Sequence, residues 1–297
     1  QYQSFGAWRA LRDGATPYVV FCHGMLDPWF KRTYPRKHLK KWLYWPWADY
    51  RVLRDAAAVC FTAEDERRLA RESFWLYRAR ERVVTLGIPA PSGDAAGQRA
   101  AFLTAHPALR GREFVLFLGR IHPKKGVDFL LRGYAETLAR DPSAPALVLA
   151  GPVGDEAHRQ QLVAEIARLG LADRVAWVPM LTGDAKWGAL HACAAFALIS
   201  HQENFGVAVV EALACGKPVL LSDQINIWRE IVADGAGLAA SASAAGATEV
   251  LGQWRALGEA GRAAMGAAAR ECFAQRFEIE RAARVIGDAL AEASQTR

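Results

Sequence analysis

From about residue 113 onward, short apolar runs rich in β-branched residues alternate with stretches whose apolar positions recur at helical spacing. Phe114-Val115-Leu116-Phe117-Leu118 reads as a buried strand, followed by a helix over roughly 126–140. Ala146 to Ala150 is the next strand, then an amphipathic helix over about 155–169. Arg174 to Val178, Ala195 to Ile199 and Pro218 to Ser222 follow as strands, with a weaker one near Gly237-Leu238. Strands that are apolar throughout are buried on both faces, and helices between them imply a parallel, doubly wound sheet. In such sheets ligands bind outside the carboxyl ends of the strands.

The pattern over residues 1–90 is that of half a similar α/β lobe. Strand candidates lie at Tyr18 to Cys22, Ala57 to Phe61 and Val83 to Leu86, with helices around 38–54 and 64–73. Three strands are few for such a lobe, so further chain is expected before Gln1. Residues 91–112, with Pro91-Ser92-Gly93-Asp94 and a second break at His106-Pro107, read as a linker carrying a short helix. The second lobe is placed at 113–275. Its Ala-rich end lacks strand patterning, and 276–297 is expected to be a helix packing back toward the first lobe.

Composition narrows the class. Hydrophobic residues make up 52% and charged residues 23%, as in globular proteins. No run approaches the ~20 apolar residues a spanning helix needs, and no signal peptide is visible at the start. Five cysteines (Cys22, Cys60, Cys193, Cys215, Cys272) are scattered without zinc spacing. A reduced, cytoplasmic setting is the natural reading. The net charge of +6 points to anionic partners: nucleotides, phosphates, nucleic acid or anionic lipid.

Two loops carry candidate chemistry. At the end of the first strand of the second lobe stands Gly119-Arg120-Ile121-His122-Pro123-Lys124-Lys125-Gly126. Gly119 permits close backbone approach, Arg120 can fork onto phosphate oxygens and Lys125 adds a compact second charge. A basic loop alone is an ordinary solvated surface, but its place at a strand's carboxyl end favours function. The second is Ser200-His201-Gln202-Glu203-Asn204-Phe205-Gly206-Val207, which opens a helix containing Glu211. The amides at that helix start suit a diphosphate. Glu203 and Glu211 can accept hydrogen bonds from sugar and ribose hydroxyls. Glu211 sits among apolar neighbours and needs a partner.

Glu203-x-Phe205-Gly206 with Glu211 eight residues after Glu203, followed by Ala212-x-Ala214-x-Gly216-x-Pro218-Val219, resembles the E-x7-E signature of retaining GT-B glycosyltransferases of family 4, the glycosyl transferases group 1. The Gly119-Arg120…Lys124-Lys125-Gly126 segment sits where that family keeps its donor-phosphate Arg and Lys. The likeness covers nearly all of 113–235 and, more weakly, the ends. It implies an α/β, GT-B fold of two Rossmann-like doubly wound lobes, the N-terminal one incomplete here. By this resemblance Arg120 and Lys125 bind the donor diphosphate beside Gly119, helped by Asn204, Phe205, Gly206 and Val207. Glu211 holds the ribose, Glu203 contacts and orients the transferred sugar, and Pro179 to Leu181 lie beside the base. His23, in Cys22-His23-Gly24, would face an interlobe cleft and resembles the family's sugar-contacting N-lobe histidine. His23 and Glu203 are the catalytic candidates, and no side chain need be a nucleophile. No cofactor or metal is implied, since Arg120 and Lys125 can neutralise the leaving diphosphate and no Asp-x-Asp motif is present. The implied reaction moves a sugar from a nucleotide diphosphate sugar to a glycan or lipid-linked acceptor, in surface polysaccharide synthesis.

One segment has its own character. Between Trp29 and Trp47, seven aromatic residues interleave with Lys31, Arg32, Arg36, Lys37, Lys40 and Lys41. The choice is between a helix with an aromatic core face and a basic solvent face, and a peripheral contact with the inner face of a membrane. Single-stranded nucleic acid would also stack there, but it is not the expected partner. Two other readings of the whole chain stay open. They are a GT-B nucleotide-sugar epimerase, whose fold lacks the Glu203…Glu211 helix pattern, and a truncated remnant that binds nucleotide sugar without turnover. A nicotinamide dehydrogenase is disfavoured, because no G-x-G-x-x-G follows a strand.

Overall fold

Every strand pairing in the computed structural model, which describes residues 2–295, is parallel, as continuous apolar strands separated by helices require. The chain divides into two compact units, one of Gln1–Gly87 with Ile279–Arg297 and the other of Ile88–Glu278. The first contains β1 (Val19–Phe21), β2 (Ala58–Phe61) and β3 (Glu81–Val83), in the order β1-β2-β3. Its core gathers Leu26, Trp45, Leu53, Val59, Phe61 and Phe74, with the Trp45 and Phe74 rings stacked 3.8 Å apart. The Ile279–Gln295 helix completes it: Ala289 and Ile286 pack with Ala58, Cys60 and Val84. The last two residues of the helix expected over 276–297 lie outside the described residues.

The second unit holds β4 (Phe114–Leu118), β5 (Ala146–Ala150), β6 (Val175–Val178), β7 (Ala195–Leu198), β8 (Val219–Ser222) and β9 (Gly237–Ala240). They form one sheet in the order β6-β5-β4-β7-β8-β9. The chain thus winds outward from β4 in one direction, then returns to its other side at β7. That reversal is the topological switch point of a Rossmann-type sheet, the place where crevices open. Leu116, Phe117, Leu147, Val148, Phe196 and Leu220 are fully buried, each worth roughly 1.5–3 kcal/mol of apolar burial.

Several expectations change. The segment read as a linker with a short helix over 91–112 has its helix, but it is packed structure within the second unit rather than a linker. Asp94 caps an Ala95–Ala105 helix by accepting the Ala96 and Gly97 amides at 3.0 Å. Phe102 is buried on that helix, its ring 6.2 Å from that of Phe114, and the Gln98 amide reaches Asp184 at 2.9 Å. Pro and Gly marked the boundary, but the apolar face behind them was too sparse to read as core. The helix expected over 38–54 is two, Pro35–Tyr44 and Asp49–Asp55, broken around Pro46. β3 begins earlier than the apolar run at Val83, because Glu81 is satisfied by Arg71 and by the Tyr77 hydroxyl at 2.9 Å. An unforeseen Tyr2–Leu11 helix buries Trp8, whose indole donates to Asp55 at 2.9 Å.

Candidate functional site

β4 and β7 flank the switch point, and the two candidate loops leave their carboxyl ends side by side. After β4 the Gly119 amide donates to Ala150 O at 2.9 Å, and Ile121 N to Pro152 O at 2.9 Å. A Cβ on Gly151 would come within 2.0 Å of Gly119 O, so the loops after β4 and β5 touch backbone to backbone. Arg120 is exposed, with its aliphatic stem over Gly154. His122 Nδ1 accepts the Lys124 amide at 3.1 Å and caps a single turn over Pro123–Lys125. Burial first, and the Arg120 guanidinium second, lower the His122 pKa below its ordinary value, which favours the neutral ring that this cap requires. Gly126 has φ 64° and a Cβ there would lie 1.9 Å from Ile199 O, so only glycine lets this loop seat against the end of β7.

From β7 the chain runs through His201, whose amide donates to Lys124 O at 2.9 Å, tying the two loops together. Glu203 is pinned by its own backbone: its amide donates to Gln224 O at 2.9 Å, and its carbonyl accepts from Asn226 N at 3.0 Å. The Glu203 carboxylate forms an ion pair with Lys125, both side chains about one-fifth exposed. Asn204 Oδ1 accepts from Asn226 Nδ2 at 3.4 Å, and Phe205 is buried with its ring edge-on to Phe277. Gly206, at φ 80°, turns the chain into the Val207–Ala214 helix. Val207 is exposed at the helix start, whereas Val209, Val210, Ala212 and Leu213 are buried. Glu211 lies on this helix with its side chain 13% exposed and accepts from Lys186 Nζ at 2.5 Å.

Lys186, the partner of Glu211, was not among the residues that the sequence singled out. It comes from the Gly183–Ala192 helix, over the Trp187 ring, and no local pattern links it to Glu211. Pro179 and Leu181 lie between β6 and that helix, exposed and half-buried respectively. Among the described residues they make no hydrogen bond or ion pair with the other candidates. Gly119, Arg120, Lys125, Asn204, Phe205, Gly206, Val207, Glu203 and Glu211 thus belong to one sheet end, with Pro179 and Leu181 farther along it.

His23 belongs to the first unit, at the carboxyl end of β1. It is the one non-glycine residue with positive φ (46°) among the described residues, a conformation that costs energy and marks a constrained position. The exposed His23 ring stacks on Phe21. The turn is held by Glu66, a buried carboxylate that accepts from Gly24 N at 2.6 Å, Thr62 N at 2.6 Å and the Thr62 hydroxyl at 2.7 Å. Sequence gave no hint of this anchor, since Glu66 sits in an ordinary charged helical run. No group of three or more His, Cys, Asp or Glu side chains is clustered for a metal ion among the described residues, and none of their helices is long and apolar enough to cross a membrane.

The family model described as glycosyl transferases group 1 matches residues 101–271, and that of the glycosyl transferase 4-like domain matches residues 2–87. The D-inositol 3-phosphate glycosyltransferase of Rhodococcus jostii is 38% identical over 146 residues, 46% of this chain and 32% of that protein. The Nocardiopsis dassonvillei protein of the same name is 32% identical over 190 residues, 62% of this chain and 44% of its own. These matches span less than half of the relatives' length. Among solved structures, Anabaena HepE in complex with UDP has a TM-score of 0.81 at 18% identity, covering 98% of this chain and 76% of that one. Sucrose-phosphate synthase from Thermosynechococcus elongatus has a TM-score of 0.77 at 20% identity, covering 99% and 72%. The family match extends over more than half of the chain, and with the switch-point sheet and these neighbours it establishes that the chain belongs to the glycosyl transferases group 1, with the GT-B fold.

Proposed function

We propose that this chain binds a nucleotide diphosphate sugar and takes part in transfer of the sugar, with retention of configuration, to a glycan or lipid-linked acceptor. The observation that carries this reading is the pairing of Lys125 with Glu203 and of Lys186 with Glu211 around the loops at the switch point. Each pair places a cation and a hydrogen-bond acceptor together, as a ligand bearing both phosphates and hydroxyls requires. The donor diphosphate lies against Arg120, Lys125 and the amides of Phe205 to Val207. Its negative charge takes Lys125 from Glu203, which frees that carboxylate for a sugar hydroxyl. Glu211 accepts from the ribose diol. His23 contacts the transferred sugar. The acceptor attacks from the side the diphosphate leaves, and the barrier falls through positioning and through cations fixed where negative charge develops. Arg120 and Lys125 supply that charge, so no metal cofactor is called for.

Relatives named for inositol 3-phosphate and a neighbour crystallised with UDP and glucose make a UDP-hexose the first donor to test and a phosphorylated polyol the first soluble acceptor. Surface polysaccharide synthesis on a lipid-linked acceptor, at the inner face of the membrane in the cytoplasm, is the broader setting this reading favours. The test is release of nucleoside diphosphate on mixing the chain with nucleotide sugars and acceptor. Release is expected, and Lys125→Ala should lower kcat by about 10²-fold or more. Neither release nor calorimetric binding with any nucleotide sugar would sink the proposal.

A further inference from the structure

The Pro35–Tyr44 helix is turned inside out. None of its residues is buried. The side chains it directs at the protein are polar: His38 stacks on Phe74 at 4.8 Å, and Lys41 lies over the Trp45 and Phe74 rings and 3.9 Å from Asp49. Leu39 and Leu43, one turn apart on one arc with Trp42, face solvent at 59% and 64% exposure. Trp75, 64% exposed, continues the patch with its ring 6.0 Å from that of Trp42, and Trp47, just beyond the helix with Arg51 over its ring, is 66% exposed. A helix that served only to close the core of the first unit would point its leucines inward. A contiguous exposed patch of this kind marks an interaction surface.

The charge around it identifies the occupant. Residues 29–47 hold Lys31, Arg32, Arg36, Lys37, Lys40 and Lys41 and no acidic residue. Lys41 is turned inward beside Asp49, and a second copy of the chain would set the other five cations against the same five. Nucleic acid bases would stack on the tryptophans but leave Leu39 and Leu43 in water. A bilayer with anionic headgroups satisfies both halves: phosphates meet the cations, while Leu and Trp enter the boundary between headgroups and acyl chains. Behind the helix lies a cavity of about 460 Å³, lined by Asp27, Tyr34, Lys37, Lys41 and Tyr44 among others, whose ammonium and hydroxyl groups can meet a headgroup phosphate at its mouth while Asp27 discourages a deeper one.

We infer that this face docks on an anionic lipid bilayer, with Leu39, Trp42, Leu43, Trp47 and Trp75 in the interface. The inference does not rest on the donor-site reading. Co-sedimentation of the full chain with phosphatidylcholine vesicles, with and without phosphatidylglycerol, tests it. Partition onto the anionic vesicles is expected, weakening as salt rises. Lys37→Gln and Lys40→Gln should each lower it about fivefold, and Leu39→Ser with Leu43→Ser about tenfold. Lipids brominated on the acyl chain should quench tryptophan emission, less so in Trp47→Phe, a variant that keeps an apolar aromatic side chain there and guards against a folding artefact. Three results would overturn the inference. One is no partition onto anionic vesicles. Another is partition that the leucine substitutions leave unchanged, which would mean charge alone. The third is a dimer dissociated by those substitutions, which would assign the face to a second copy.

Discussion

Glu211 is a carboxylate held among buried valine, alanine and leucine, and its charge is tolerable there because Lys186 reaches it. Replacing it with alanine removes hydrogen bonds made to a charged group. Donor affinity should therefore fall by about 1.5–3 kcal/mol in calorimetry; an unchanged affinity removes Glu211 from the site. That Glu203, Glu211, Arg120 and Lys125 share one end of the sheet was legible in the sequence, because that placement lies in local spacing, a strand end followed by glycine and a helix. Lys186 and Glu66 were not legible. Each acts on a partner brought to it by the fold, and a lysine or glutamate in a charged helix looks the same with or without such a partner.

At the scale of elements, the strands of the second unit could be read almost to their ends, since a strand buried on both faces has nothing but apolar residues to show. β3 was misplaced because its first residue is a carboxylate made acceptable by Arg71 and Tyr77. The short helix within 91–112 was expected, but its packing into the second unit was masked by the flanking Pro and Gly, and its contribution can be measured: Asp94→Ala should cost about 1 kcal/mol in denaturant unfolding, and Phe102→Ala about 3–5 kcal/mol. The two helices that carry Arg132 and Glu165 are joined by that ion pair, and Arg168 adds a second cation. Hydrogen bonds from Arg168 and then Arg132 pull the Glu165 pKa from 4.5 to about 2. A depressed carboxylate pKa stabilises the folded state above the unfolded value and loses that effect as pH falls toward the folded one. The stability difference between the parent and Glu165→Gln should therefore be full above about 4.5 and vanish as pH approaches about 2, followed by urea melts across that range.

For the molecule as a whole, all five cysteines are free and buried. Burial raises the Cys193 thiol to about 11 and the Cys215 thiol to about 12, and pushes Cys22, Cys60 and Cys272 up as well. The reactive thiolate is thus both inaccessible and scarce. Ellman's reagent should find almost no thiol in the native chain at neutral pH and five after denaturation; rapid native labelling would contradict the packing described.

The first unit draws its final helix from the far end of the chain, with Ala289 and Ile286 packed beside Ala58, Cys60 and Val84. Domains made of one continuous segment can complete themselves in the order in which they leave the ribosome. Here the second unit, Ile88–Glu278, has all of its residues available first, while the amino-terminal unit must wait until translation has passed Ala289. The segment that carries β1 to β3 is therefore made before the second unit and closes its core after it, and the face of β2 presented by Ala58 and Cys60 stays uncovered until that helix arrives.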